Sequence, residues 1–177
     1  MPLATKADQE LFQAITTSAG FAPSLARSIK IIDTDDIPPE DVNGRRKVDG
    51  WKMRYKAVVT GDMTNLIGNI HGAAISWLVD TLTSAALVHL HTPTFWGPPM
   101  MAGVSLSMEI QYLHPVGLGS ELIIDVQVLK CTPTLANLRC EVRNHNLIWR
   151  IADDWRAPFP FRASIPRRGT CLLKVLQ

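Results

Sequence analysis

The chain has little excess charge of either sign. Its 18 lysines and arginines face 16 aspartates and glutamates, a formal net of +2 over 177 residues. A nucleic-acid binder ordinarily shows a basic stripe, and none is present. Cysteine is scarce as well. Cys131, Cys140 and Cys171 are widely spaced, lack zinc-ligand spacing and are odd in number. They read as reduced thiols in a reducing compartment. No apolar run is clean enough to span a bilayer, because the longest, Ile75–Leu90, is broken by Ser76, Asp80, Thr81, Thr83, Ser84 and His89. Residues 1–20 carry Asp8 and Glu10 and no arginine, which predicts neither a secretory signal nor a transit peptide. These absences together predict a cytoplasmic protein, with a mitochondrial setting left open. Also missing are the Gly-x-Ser-x-Gly elbow, the P-loop and the Gly-x-Gly-x-x-Gly turn, so a Ser-His-Asp hydrolase or a nucleotide-loop enzyme has no support. Nothing calls for a metal or another cofactor.

What is present is a strong periodic pattern. Asp8–Ser18 reads as a short amphipathic helix with Leu11, Phe12 and Ile15 on one face. Ser28–Asp33 reads as a first strand, and Asp35–Gly44, with Pro38 and Pro39, as a loop. From Trp51 to Val59, residues Trp51, Met53, Tyr55, Ala57 and Val59 alternate with Lys52, Arg54 and Lys56, the signature of a half-buried strand. A turn at Asn65–His71 then opens a helix over about Gly72–Leu90, apolar almost all round and expected to be buried on most sides. His89 and His91 near its end suit the helix dipole better than a metal. The segment His91–Gly103 is broken by Pro93, Pro98 and Pro99. It is apolar enough to be either a loop packed on the core or a flap over an acyl chain.

Three alternating strands follow: Val104–Tyr112, Leu122–Val128 and Ala136–Val142. Short turns at His114–Ser120 and Cys131–Thr134 join them and predict consecutive antiparallel hairpins with one wet face. The simplest packing wraps this sheet around the helix, an α+β architecture. The expected layout is an N-terminal helix, strand and loop over residues 1–46, a core over 47–148, and an irregular basic extension over 149–177. Leu147–Ile151 could begin one more strand.

Asp80 is the residue that points to chemistry. A carboxylate among Ile75, Trp77, Leu78, Val79, Leu82 and Leu87 is costly to bury and usually has a task. The glycine turn ahead of it opens a helix, where unpartnered N–H groups favour an oxyanion. A base and an oxyanion site suggest acyl-group chemistry. Gly72 and Asp80 lie eight positions apart on one helix, roughly 12 Å along its axis. They cannot touch the same carbon, so if both act they come from different subunits.

Asn65, Gly68, His71, Gly72 and Asp80 form Asn-x-x-Gly-x-x-His-Gly followed by a helical Asp. With Gly103-Val104-Ser105 and the Tyr112-Leu-x-Pro115-x-x-x-Gly119 turn, this resembles the hotdog-fold acyl-CoA thioesterases of the thioesterase superfamily member 2 and phenylacetate-pathway type. The resemblance runs from about Trp51 to Arg143. It departs at Ala73, where the family often has a second glycine, and in the length of the His91–Gly103 segment. The family's usual last strand is also not recognisable after Asn146. It implies a hotdog fold and a homodimer or dimer of dimers that hydrolyses acyl-CoA. By resemblance Gly72 is the oxyanion donor and Asp80 the general base, with a nucleophilic role as its alternative. Asn65 holds the carbonyl or the water, His71 orients the turn, and Ser105 assists near Asp80. Coenzyme A is placed along Tyr112, Leu113, His114, Pro115, Val116 and Gly117, and along Lys130, Thr132 and Thr134, with Lys130 meeting a phosphate. Two other readings stay open: a non-catalytic acyl-CoA-binding or protein-interaction module, and a thioesterase or dehydratase acting on carrier-bound acyl groups.

Overall fold

The computed structural model describes residues 1–18, 21–99, 101–145 and 170–176. The elements in chain order are α1 (Lys6–Ser18), α2 (Pro23–Ser28), β1 (Lys30–Thr34), β2 (Lys52–Val58), α3 (Gly72–His89), β3 (Val104–Ile110), β4 (Glu121–Cys131), β5 (Leu135–Asn144) and β6 (Thr170–Leu176). They build one antiparallel sheet in the order β1-β2-β4-β5-β6-β3.

The alternation in β2 works as its sequence predicts. Trp51, Met53, Tyr55, Ala57 and Val59 are all buried. They share the inner face with Leu122, Ile124, Val126 and Val128 of β4 and with Ala136, Leu138 and Cys140 of β5 and its start. Helix α3 supplies the other half of this core through Leu78, Val79, Leu82, Ala85, Ala86 and Leu87. Tyr55 ties the layers together, since its buried hydroxyl donates to the Leu82 carbonyl at 3.1 Å. The outer face of the sheet is polar and laced by ion pairs. There Arg54 bridges Asp125 (2.6 Å) and Asp33 (3.3 Å) across three strands.

Four expectations need correction. First, β3 and β4 are not a hairpin. β4 lies between β2 and β5, whereas β3 sits at the far edge beside β6. The connection between them crosses the opening of α3: the Ile70 N–H donates to the Val116 carbonyl (2.7 Å) and the Leu118 N–H to the Gly68 carbonyl (3.0 Å). Second, the first strand starts at Lys30 rather than Ser28, because a short helix, α2, runs through Ser28. Third, the C-terminal part is not wholly an extension. Thr170–Leu176 enters the sheet between β5 and β3. The expected strand start at Leu147–Ile151 and the Arg-rich part of the tail lie outside the described residues. Fourth, α3, expected to be buried on most sides, leaves one side open in this chain. Ala73 is exposed, and Ser76, Trp77, Asp80, Thr81 and Ser84 are half-exposed, forming a stripe that this chain leaves uncovered.

The His91–Gly103 segment packs on the core. Thr92, Phe95, Trp96 and Ala102 are buried, and the Trp96 indole N–H donates to the Thr132 carbonyl at 2.8 Å. Gly97 is obligatory there, because a Cβ would stand 2.2 Å from the Thr92 carbonyl oxygen. Residues 1–46 also join the main sheet, through β1 on β2.

Candidate functional site

The turn ahead of α3 is built by Asn65. Its Oδ1 accepts from the N–H groups of Ile67 (3.1 Å) and Asn69 (3.1 Å), the side-chain turn that asparagine favours. Gly68 completes the turn in the left-handed region, at φ 78°. These bonds fix the amide orientation, and the two Nδ2 donors of Asn65 are left without a partner among the described residues. Thr64, Asn65, Leu66, Ile67 and His71 line an open cavity of about 550 Å³ beside the turn.

His71 is the N-cap of α3. Its Nδ1 accepts from the Ala73 N–H at 3.0 Å, so that nitrogen carries no proton and the neutral ring holds its proton on Nε2. The Ala74 and Ile75 N–H groups bond to the His71 carbonyl. The Gly72 N–H alone in this first turn has no acceptor among the described residues. It stands at the positive end of an 18-residue helix, where negative charge is favoured. The Cβ side of Gly72 is not open to a substrate, however. The ring of Tyr112 occupies it, 3.4–3.6 Å from where a Cβ would stand.

Two turns further along, Asp80 accepts a short hydrogen bond from the Ser105 hydroxyl. Asp80 is half-buried rather than buried, and Ser105 is exposed at the start of β3. Helix and edge strand thus bring together two residues that the sequence places far apart. They do not bring Gly72 to Asp80, which stay separated along the helix.

The two groups of expected coenzyme A contacts are likewise apart in one chain. Tyr112, Leu113, His114 and Pro115 are exposed, and Val116 and Gly117 half-buried, on the connection over the start of α3. Lys130, Thr132 and Thr134 lie at the other end of β4, roughly 30 Å along that strand. Lys130 is not a free cation: its Nζ pairs with Asp49 at 2.7 Å, which raises the lysine's pKa above its ordinary value. Asp49 also accepts the Cys131 N–H, so it anchors this turn. Thr132 closes the β4–β5 turn, accepting the Leu135 N–H on its hydroxyl at 3.0 Å. Burial pushes the Cys131 thiol up to about 12, so this sulfur is unsuited to nucleophilic work.

Ser76, outside the sequence motif, also joins this turn. Its hydroxyl donates to the Gly72 carbonyl at 3.0 Å and lies 2.9 Å from the Tyr112 hydroxyl. Its place four residues after Gly72 was the available signal. Among the described residues there is no cluster of three or more groups able to hold a metal, and no helix is long and apolar enough to cross a membrane.

A sheet wrapped around one long helix, with a polar turn opening that helix, defines a hotdog-fold protein. Comparison with known proteins agrees. Residues 67–147 match the family model of the thioesterase superfamily. The human acyl-coenzyme A thioesterase 13 is 37% identical over 93 residues, 52% of this chain and 61% of the relative. The chain therefore spans about three-fifths of the length of the curated relatives it matches. Among solved structures, zebrafish thioesterase superfamily member 2 aligns over 99% of both chains, with a TM-score of 0.66 at 19% identity. A hypothetical thioesterase from Streptococcus pneumoniae TIGR4, solved with coenzyme A, aligns over 84% of this chain and 86% of that one, with a TM-score of 0.54 at 16% identity.

Proposed function

We propose that the chain is an acyl-CoA thioesterase whose site is completed by a second copy. The observation that carries this reading is the separation of two half-sites on one rigid helix. The Gly72 N–H, unpartnered among the described residues, stands at its start and the Asp80–Ser105 pair at its middle. The superfamily match covers both. A neighbour of the same fold was solved with coenzyme A, in keeping with this substrate class.

Strand β3 supplies the means of pairing. It is a sheet edge on which Val104, Leu106 and Met108 are 59%, 57% and 39% exposed. Such an edge is a template for another strand. A twofold axis through it would pair two β3 edges antiparallel, setting the Tyr112 end of one chain against the Val104 end of the other. Val104 and Leu135 are both in register with Leu176, so the β4–β5 turn lies at the Val104 end. The same operation would bring the partner's Tyr112–Gly117 connection toward the Lys130–Thr134 turn. The half-exposed stripe on α3 would be covered as well.

In the composite site, the Asp80 carboxylate takes a proton from water, and the resulting hydroxide attacks the thioester carbon. Ser105 holds the carboxylate in place. The tetrahedral oxyanion forms against the Gly72 N–H of the other chain, with the Asn65 amide as a second donor. Collapse breaks the C–S bond, and the proton on Asp80 passes to the departing thiolate.

The test is thiol release by the purified full chain from a panel of acyl-CoAs. Steady turnover is the expected result. Saturable binding of acyl-CoA without thiol release would replace the enzyme reading with that of a binding module.

A further inference from the structure

We propose that Ser76 and Tyr112 are positioning residues that hold the Gly72 backbone in the orientation its N–H needs. This rests on the reading of Gly72 as the oxyanion donor. Glycine has no Cβ to restrict its dihedrals, so a glycine N–H is pre-aimed only if its surroundings fix it. Two groups do so here. The Tyr112 ring fills the Cβ side of Gly72, and the Tyr112 hydroxyl donates to the Gly72 carbonyl at 3.1 Å. The Ser76 hydroxyl donates to the same carbonyl at 3.0 Å and contacts the Tyr112 hydroxyl at 2.9 Å.

Three contacts share two hydroxyl protons. Either both hydroxyls bond the carbonyl, or one bonds it and accepts from the other, so the pair acts as one unit. A serine bonding the carbonyl four residues back is a common local pattern. The tyrosine is different, because it arrives from the end of β3. The Gly72 carbonyl is already placed to accept the Ser76 N–H within the helix. The two hydroxyls are therefore surplus to backbone satisfaction, and their effect is to fix the peptide beside the oxyanion donor.

The experiment compares Tyr112→Phe, Ser76→Ala, the double variant and Ser76→Thr in the full-length protein. Each of the two single losses is expected to lower kcat about tenfold with KM unchanged, since a misaimed donor costs rate rather than binding. The double variant should be scarcely worse than either, and Ser76→Thr should recover the rate. A rise in KM with kcat unchanged would make Tyr112 a substrate contact and overturn the proposal. The second readout needs no turnover: the Gly72 amide order parameter from NMR relaxation should fall in both single variants. An unchanged order parameter overturns the proposal even if the wild type hydrolyses acyl-CoA. A wild type that hydrolyses none overturns the parent reading, while the order parameter still decides this one.

Discussion

The Ser105 hydroxyl donates to Asp80, joining the first turn of an edge strand to the midpoint of the central helix. Neither residue is fully buried in one chain, and neither needs the other for the core to pack. The pair has the form of a base and the group that orients it. Replacing Asp80 with Asn keeps the shape and removes the base. It should lower kcat by roughly two orders of magnitude or more. Ser105→Ala should cost about tenfold, because the carboxylate remains but loses its orientation. Melting curves should change little in either case. Wild-type turnover by Asp80→Asn would remove Asp80 from the mechanism.

The exposed apolar face of β3 makes a separate prediction. Two lysines introduced together, Leu106→Lys and Met108→Lys, place charge on an edge expected to pair with its own copy. Light scattering should then report a monomer, and thiol release should fall with the loss of the dimer. A monomeric variant with full activity would show that one chain carries a complete site.

Stability should weaken in mild acid through His89. This ring is buried, stacks on Trp51 with centroids 6.1 Å apart, and stands 3.2 Å from an Asp8 oxygen without forming a well-aligned hydrogen bond. Burial lowers its pKa below the ordinary histidine value, although Asp8 pulls the other way. A folded-state value below the unfolded one means that protons favour the unfolded chain. The contribution of neutral His89 is therefore complete above about pH 6.5 and is lost as pH falls through the lowered value. Melting temperatures measured between pH 8 and pH 5 should decline, and His89→Phe, which keeps a ring against Trp51, should flatten that decline. An equal slope in both proteins would contradict this.

The parts of the fold legible in the sequence were those with one clear period. Trp51–Val59 alternates because one face meets α3 and the other meets water, and all five inward residues are buried. The long helix was legible from its glycine and histidine opening. The pairing of β3 was not, because a turn signal at Pro115–Gly119 says where the chain bends and nothing about which strand lies next to it. β6 was missed for another reason. Thr170–Leu176 lies between two strands and reads as a nearly continuous apolar run without alternation. Helix α2 was short, and its one signal was Pro23 in the first turn. At the proposed site, the motif residues were legible as a pattern. The contacts of Tyr112, Ser76 and Asp49 were not, since each joins elements distant in sequence or has a common local explanation. The exposure of Val104 and Leu106 was equally hidden, because alternation marks an apolar face and says nothing about what covers it.

Complementation between two disabled chains tests the shared site most directly. Gly72→Pro removes the donor: proline is accepted at the first helical position, His71, at φ −73° and ψ 140°, already has the backbone that a following proline requires, and the added Cβ would meet Tyr112 at ordinary van der Waals distance, 3.4–3.6 Å. Asp80→Ala removes only the base. Each homodimer should be inactive. A heterodimer of the two, purified through separate tags, has one site lacking both groups and one site lacking neither, so it should show about half the activity of the wild-type dimer. A heterodimer as inactive as its parents would contradict the account.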